Sequence, residues 1–178
     1  MITKSRRASI EQRAVDILQE SGTYRSPVPV DLIVAHLGVI TQARALTDGV
    51  SGVLVFENDQ GVIGYNSLHA PVRQRFTLAH EIGHFVLHIK GKEPRLFIDK
   101  SVAFHRNDDS STGSDNEEIE ANVFAASLLM PESLVRREIE QRRLDLDDED
   151  DIDALAKSFN VSPAAMSYRL VNIGLLRV

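Results

Sequence analysis

The chain has 178 residues, of which 43% are hydrophobic and 26% charged, with a net charge of −6 and no cysteine. This is the balance of an ordinary soluble globular protein with one respectable core, and two full domains are not expected. It excludes disulfides and thiolate metal sites and gives no overall attraction to nucleic acid. With no membrane-spanning or leader-like apolar run, a cytoplasmic location is expected.

From Ser9 to Glu20, Ile10, Ala14, Val15, Ile17 and Leu18 recur at helical spacing behind a serine cap, and Ser21-Gly22 ends the run. A second short helix is expected from Pro29 to Leu37, closed by Gly38. The period then changes: Val39 to Leu46, Gly52 to Phe56 and Val62 to Tyr65 read as strands. The last two are joined by Glu57-Asn58-Asp59-Gln60-Gly61, whose residues favour a turn, which predicts a three-stranded antiparallel meander.

Pro71 opens a helix expected to reach about Ile89, with Gly91 as its stop. It carries His80-Glu81-Ile82-Gly83-His84, the H-E-x-x-H pattern of zinc hydrolases. At about 100° per residue, Thr77, His80, Glu81, His84 and His88 share one arc, and Phe76, Leu78, Ala79, Ile82, Phe85, Val86 and Ile89 cover the rest. A buried helix with one polar stripe is therefore expected. Histidine and glutamate are costly to bury unpaired, so the apolar context itself favours a metal. Two imidazoles one turn apart can grip a single ion, and Glu81 would point at its open position to move protons between water and a leaving amine. His88 extends the pattern to H-E-x-x-H-x-x-x-H, but no glycine-containing turn folds it back. On an unbroken helix it lies about 6 Å beyond His84, as a hydrogen-bonded histidine at the site's edge.

Gly91 to Asn116 has weak periodicity, and the polar tract Arg106 to Asn116 is expected to be a mobile loop. Glu117 to Leu129 is the second informative helix, stopped at Met130-Pro131. Glu118 shares a face with Ala121, Asn122, Ala125 and Leu129. Small residues there, and Gly83 beside His80, suit a tight helix contact that delivers Glu118 as third metal ligand, with Asn122 holding an imidazole in its tautomer. Helix N-terminal electrostatics alone would account for Glu117, Glu118 and Glu120, but not for Asn122.

A helix from about Glu132 to Arg143 precedes seven acids in the nine residues 145–153, which read as a linker. Residues 1–144 are thus expected to form the metal-binding domain and 145–178 an acidic linker with a helical tail. From Ile152 to Gly174 the tail has a helix-turn-helix outline, with Ser162 and Pro163 starting its second helix. That helix offers only Arg169 as a base or phosphate contact, so DNA binding is not expected and packing is the default.

Arg75-Phe76-Thr77-Leu78-Ala79-His80-Glu81-Ile82-Gly83-His84, followed by Glu118-Ile119-Glu120-Ala121-Asn122-Val123-Phe124-Ala125-Ala126 and Leu128-Leu129-Met130-Pro131, resembles the ImmA/IrrE family of metallopeptidases. The resemblance implies a minimal thermolysin-like zinc peptidase, with His80, His84 and Glu118 as zinc ligands and Glu81 as catalytic acid/base. It also implies a protein substrate of the helix-turn-helix repressor type, from a mobile element or a stress response. The combined expectation is an α+β zinc endopeptidase. The rival is a regulatory binding module whose metal site is structural or vestigial. Tyr65, His88 and His105 are candidates for stabilising the oxyanion; substrate identity, activating signal and oligomeric state are not legible.

Overall fold

The computed structural model describes residues 2–47, 49–89, 95–100 and 113–177. Helix α1 (Lys4–Glu20) starts earlier than the Ser9 cap would have it, because Thr3 caps it by accepting from the Arg6 amide at 3.1 Å. Its buried stripe is Ile10, Ala14, Ile17 and Leu18. Helix α2 (Val30–Leu37) ends on Gly38 at φ 70°, a left-handed cap that glycine adopts without strain.

Four strands follow rather than three: β1 (Ile40–Arg44), β2 (Val50–Glu57), β3 (Gln60–Asn66) and β4 (Arg95–Lys100), in the order β1-β3-β2-β4. The β2–β3 hairpin is antiparallel and turns on Asn58 and Asp59, both at positive φ (52° and 60°), with Glu57 opposite Gln60. The expected meander is nevertheless corrected, since β1 runs parallel to β3 on its far side and β4 adds an antiparallel edge to β2. Asn66 supports the crossing that this requires. Its side chain donates to the Val50 carbonyl at 3.0 Å and accepts from the Leu68 amide at 3.1 Å, replacing hydrogen bonds that a simple hairpin would supply.

Helix α3 (Pro71–His84) crosses the face of the sheet that carries the buried Leu54 and Ile63. It does not continue as an α-helix to Ile89: Phe85–Ile89 form a π turn. Helix α4 (Gly113–Leu129) packs against α3, and the four residues Gly113 to Asn116 of the expected polar loop belong to its first turn. Positions 101–112, and with them the rest of that tract, and the expected stop at Gly91 lie outside the described residues.

Helices α5 (Glu132–Arg142), α6 (Glu149–Phe159) and α7 (Pro163–Asn172) complete the chain. The acid run is only partly a linker. Asp148 caps α6 through the Asp150 amide at 2.9 Å, and Glu149, Asp150 and Asp151 form its first turn, where the helix dipole favours negative charge. Leu155, Phe159, Met166 and Leu170 enter the same core as α1, α3 and α4. The turn between α6 and α7 is tied to α3 itself, since Arg75 donates to Asn160 O at 3.2 Å and to Val28 O at 3.0 Å.

Arg169, the only cation the second tail helix could have offered a duplex, does not face outward. It is 3% exposed, donating from Nε to the Met130 carbonyl at 3.0 Å and pairing with Glu11 of α1 at 3.2 Å. Burial lowers its pKa from the ordinary value, against the opposing pull of Glu11. Arg169→Ala should therefore destabilise the protein by about 2–4 kcal/mol, below the top of the buried-pair range because Glu11 keeps some water. Urea unfolding measures this, and a loss under about 0.5 kcal/mol would show that the clamp does not hold the tail.

Candidate metal centre

The stripe expected on α3 is buried as a unit: Thr77, His80, Glu81 and His84 are all within the core, and Glu81 is fully enclosed. Close approach of α4 makes the site. Gly83 lies so near Ala121 that a Cβ added to it would stand 3.1 Å from both the Cα and the carbonyl oxygen of Ala121. With no side chain at Gly83 and one methyl at Ala121, the two backbones come together and Glu118 reaches across.

The His80 and His84 Nε2 atoms are 3.0 Å apart. Glu118 places Oε2 3.2 Å from His80 Nε2 and Oε1 3.2 Å from His84 Nε2. A tetrahedral ion with bonds of about 2.0–2.1 Å holds its ligand atoms about 3.3 Å apart, so the three donors are already near coordination spacing. Among the described residues, His80, His84 and Glu118 form a group able to hold a metal ion. The donor set is two imidazoles and a carboxylate, with room for a fourth, non-protein ligand because the Glu118 side chain is 46% exposed. Burial raises the Glu118 pKa, but hydrogen bonds to His80 and His84 and the charges of both outweigh it, and the carboxyl sits well below the usual range.

Asn122 and Gly52 complete the geometry. Asn122 Oδ1 lies 3.1 Å from His80 Nδ1, accepting from it, which leaves Nε2 as the ring nitrogen facing Glu118 and His84. Gly52, on β2, underlies the Glu81 carboxylate: a Cβ there would stand 2.6 Å from Thr77 Cγ2 and 3.2 Å from Glu81 Cδ. Directly opposite Gly52 on β3 is Tyr65, whose side chain therefore shares the sheet face beneath α3.

His88 is buried and held at 3.3 Å from the Glu117 carbonyl through Nε2, outside the ligand group. Burial, reinforced by the nearby His84, lowers its pKa against the pull of Glu117 and Glu120, which keeps it neutral. His105 lies outside the described residues. Sequence reasoning missed Gly52, although a glycine inside a strand signals close approach of other atoms. It missed also the Arg6 to Glu120 pair, 2.7 Å from Nε to Oε1, which nothing local in either helix announces.

A family model for the IrrE N-terminal-like domain, peptidase family M78, matches residues 34–171. The chain belongs to this metallopeptidase family. Over 130 residues it is 36% identical to the radiation response metalloprotease IrrE of Deinococcus radiodurans, a match covering 62% of this chain and 36% of that protein. A solved structure of a Mycobacterium tuberculosis transcriptional regulator has the same fold, with a TM-score of 0.62 at 21% identity, over 92% of this chain and 46% of that one. The chain thus spans less than half the length of either relative.

Substitutions should separate ligands from neighbours. His80→Ala, His84→Ala and Glu118→Ala should each abolish tight zinc binding, whereas Asn122→Ala should weaken it about 10–100-fold. Competition against a chromophoric chelator provides the measurement. Wild-type affinity in Glu118→Ala together with a loss in Glu117→Ala would show that the wrong carboxylate has been assigned.

Proposed function

We propose that the protein is a zinc-dependent endopeptidase of the cytoplasm that cleaves a protein partner, a helix-turn-helix repressor of a mobile element or a stress response. The observation that carries this reading is the convergence of His80, His84 and Glu118 beside an enclosed glutamate on the same helix. Three protein ligands leave a catalytic ion one open position, whereas a structural site usually closes with four. When bound there, zinc supplies a Lewis acid for the scissile carbonyl and brings the pKa of its water toward about 7.

The remaining work belongs to the chain. Glu81 takes the proton of the attacking water as the C–O bond forms, and then returns it to the departing amine nitrogen as the peptide C–N bond breaks. Gly52 sets where that carboxylate rests. Tyr65, which pairs with Gly52 across the sheet, is proposed as donor to the oxygen that becomes negative, since His88 is committed to the Glu117 carbonyl. Inward burial of Arg169 removes the cation through which the tail would read a duplex, which supports a protein rather than DNA as partner. No described helix is long and apolar enough to cross a membrane.

The shared fold with a Mycobacterium tuberculosis transcriptional regulator is compatible with a second reading, a regulator that binds its partner without cutting it. Incubation with the repressor encoded nearest the gene, with and without chelator, followed by intact mass, distinguishes the two. Chelator-sensitive cleavage is expected; complex formation without fragments would favour the second.

Two variants test the mechanism. Glu81→Gln should keep zinc and partner binding but lose about 10²–10⁴-fold in cleavage rate, and unchanged proteolysis would sink the assigned role. Gly52→Ala crowds both the Thr77 methyl and the enclosed Glu81 end, so it should lower stability while keeping zinc, and should cleave more slowly. Wild-type cleavage by Gly52→Ala would mean that the seat of Glu81 on β2 is unimportant.

A further inference from the structure

His88 is the one histidine of the α3 stripe that the metal site does not use, yet it is buried like His80 and His84, at 4% exposure. A neutral imidazole in the core needs a hydrogen-bond partner to offset its lost hydration. Its Nε2 donates to the Glu117 carbonyl at 3.3 Å, and the carbonyl can only accept, so the tautomer is set. The same nitrogen lies 3.8 Å from Glu120 Oε2. Glu120 is in turn gripped by Arg6 of α1, from Nε at 2.7 Å. His88 therefore sits between two residues of α4 that flank Glu118 on either side.

The π turn makes this placement. Widening the helix over Phe85–Ile89 gives His88 a different direction around the axis from the one an α-helix would impose. Such local π turns recur at functional sites, where they re-aim a side chain. Its ring stays tilted at 53° against His84, with centroids 5.5 Å apart, so it touches one ligand while holding the backbone beside another.

We infer that His88 is a positioning residue: its hydrogen bond to the Glu117 carbonyl fixes the start of α4 in the register that delivers Glu118 to His80 and His84. Glu118 needs such support. Its side chain is 46% exposed and flexible, whereas its two partners are locked in the core. Without the restraint, the early turns of α4 can rotate or shift, and the carboxylate spends less time at coordination distance. This inference rests on the metal-centre reading above.

The experiment is a double-mutant cycle on zinc affinity, read by chelator competition on the full chain. His88→Leu removes the donor, and zinc affinity should fall about 10–100-fold, the range for residues that orient ligands. His88→Gln, which places an N–H near the Nε2 position, should recover most of that loss. In a Glu118→Ala background, where the weak zinc binding left to His80 and His84 is read by direct calorimetric titration at higher zinc concentration, His88→Leu should have no further effect, because the residue through which it acts is gone. Should His88→Leu fail to fold, His88→Phe keeps the ring shape and carries the same expectation. An unchanged affinity in His88→Leu or His88→Phe, or an equal loss with and without Glu118, would overturn the inference, the second by showing mere loosening of the core. A wild-type protein that binds no zinc would overturn it from beneath, by removing the metal centre itself.

Discussion

The contact between Gly83 and Ala121 is the constraint on which the rest of the site depends. A histidine pair on one helix gathers two donors without help, because residues one turn apart already face each other. The third donor has to come from another element, and a glutamate spans the gap only if the two backbones nearly touch. The 3.1 Å that would separate a Gly83 Cβ from the Ala121 backbone shows how little room remains. Any larger residue at either position would move Glu118 away from the 3.2 Å distances it keeps to both imidazoles.

Bringing polar groups together inside a core is unfavourable unless each is restrained and satisfied. The fold meets this from three directions. The sheet underlies Glu81 with a glycine, and α4 supplies Asn122 to His80 and the Glu117 carbonyl to His88. The C-terminal helices close the core behind them through Arg75 and Arg169, two guanidiniums directed at main-chain carbonyls. The tail is thereby part of the scaffold that keeps α3 in place, with Arg169 of its last helix turned inward.

Much of this was legible in the residues, and the exceptions have physical causes. The α3 stripe and the small-residue face of α4 are periodic patterns within single helices, so they reveal that His80, His84, Glu118 and Asn122 can share a site. Long-range pairings carry no such period. Nothing near β1 states that it lies parallel to β3, because the crossing is stabilised by Asn66, more than twenty residues on from its start. The π turn escaped for a similar reason: Phe85-Val86-Leu87-His88-Ile89 has no proline or glycine, and its widening is set by tertiary packing rather than by local propensity. Packing of the tail was expected, but the partners of Arg169 were not legible; only the fold reveals Glu11 and the Met130 carbonyl beside it.

What the geometry supports is an ion held by three protein side chains that leave one side open, next to a carboxylate outside that group. The most direct test is zinc K-edge X-ray absorption on the purified, zinc-loaded protein. The account expects a four-coordinate ion with light scatterers at about 2.0–2.1 Å, two of them imidazoles, one a carboxylate and one exchangeable. A shell of three imidazoles, which would bring in His88, or one closed by four protein ligands, would contradict it.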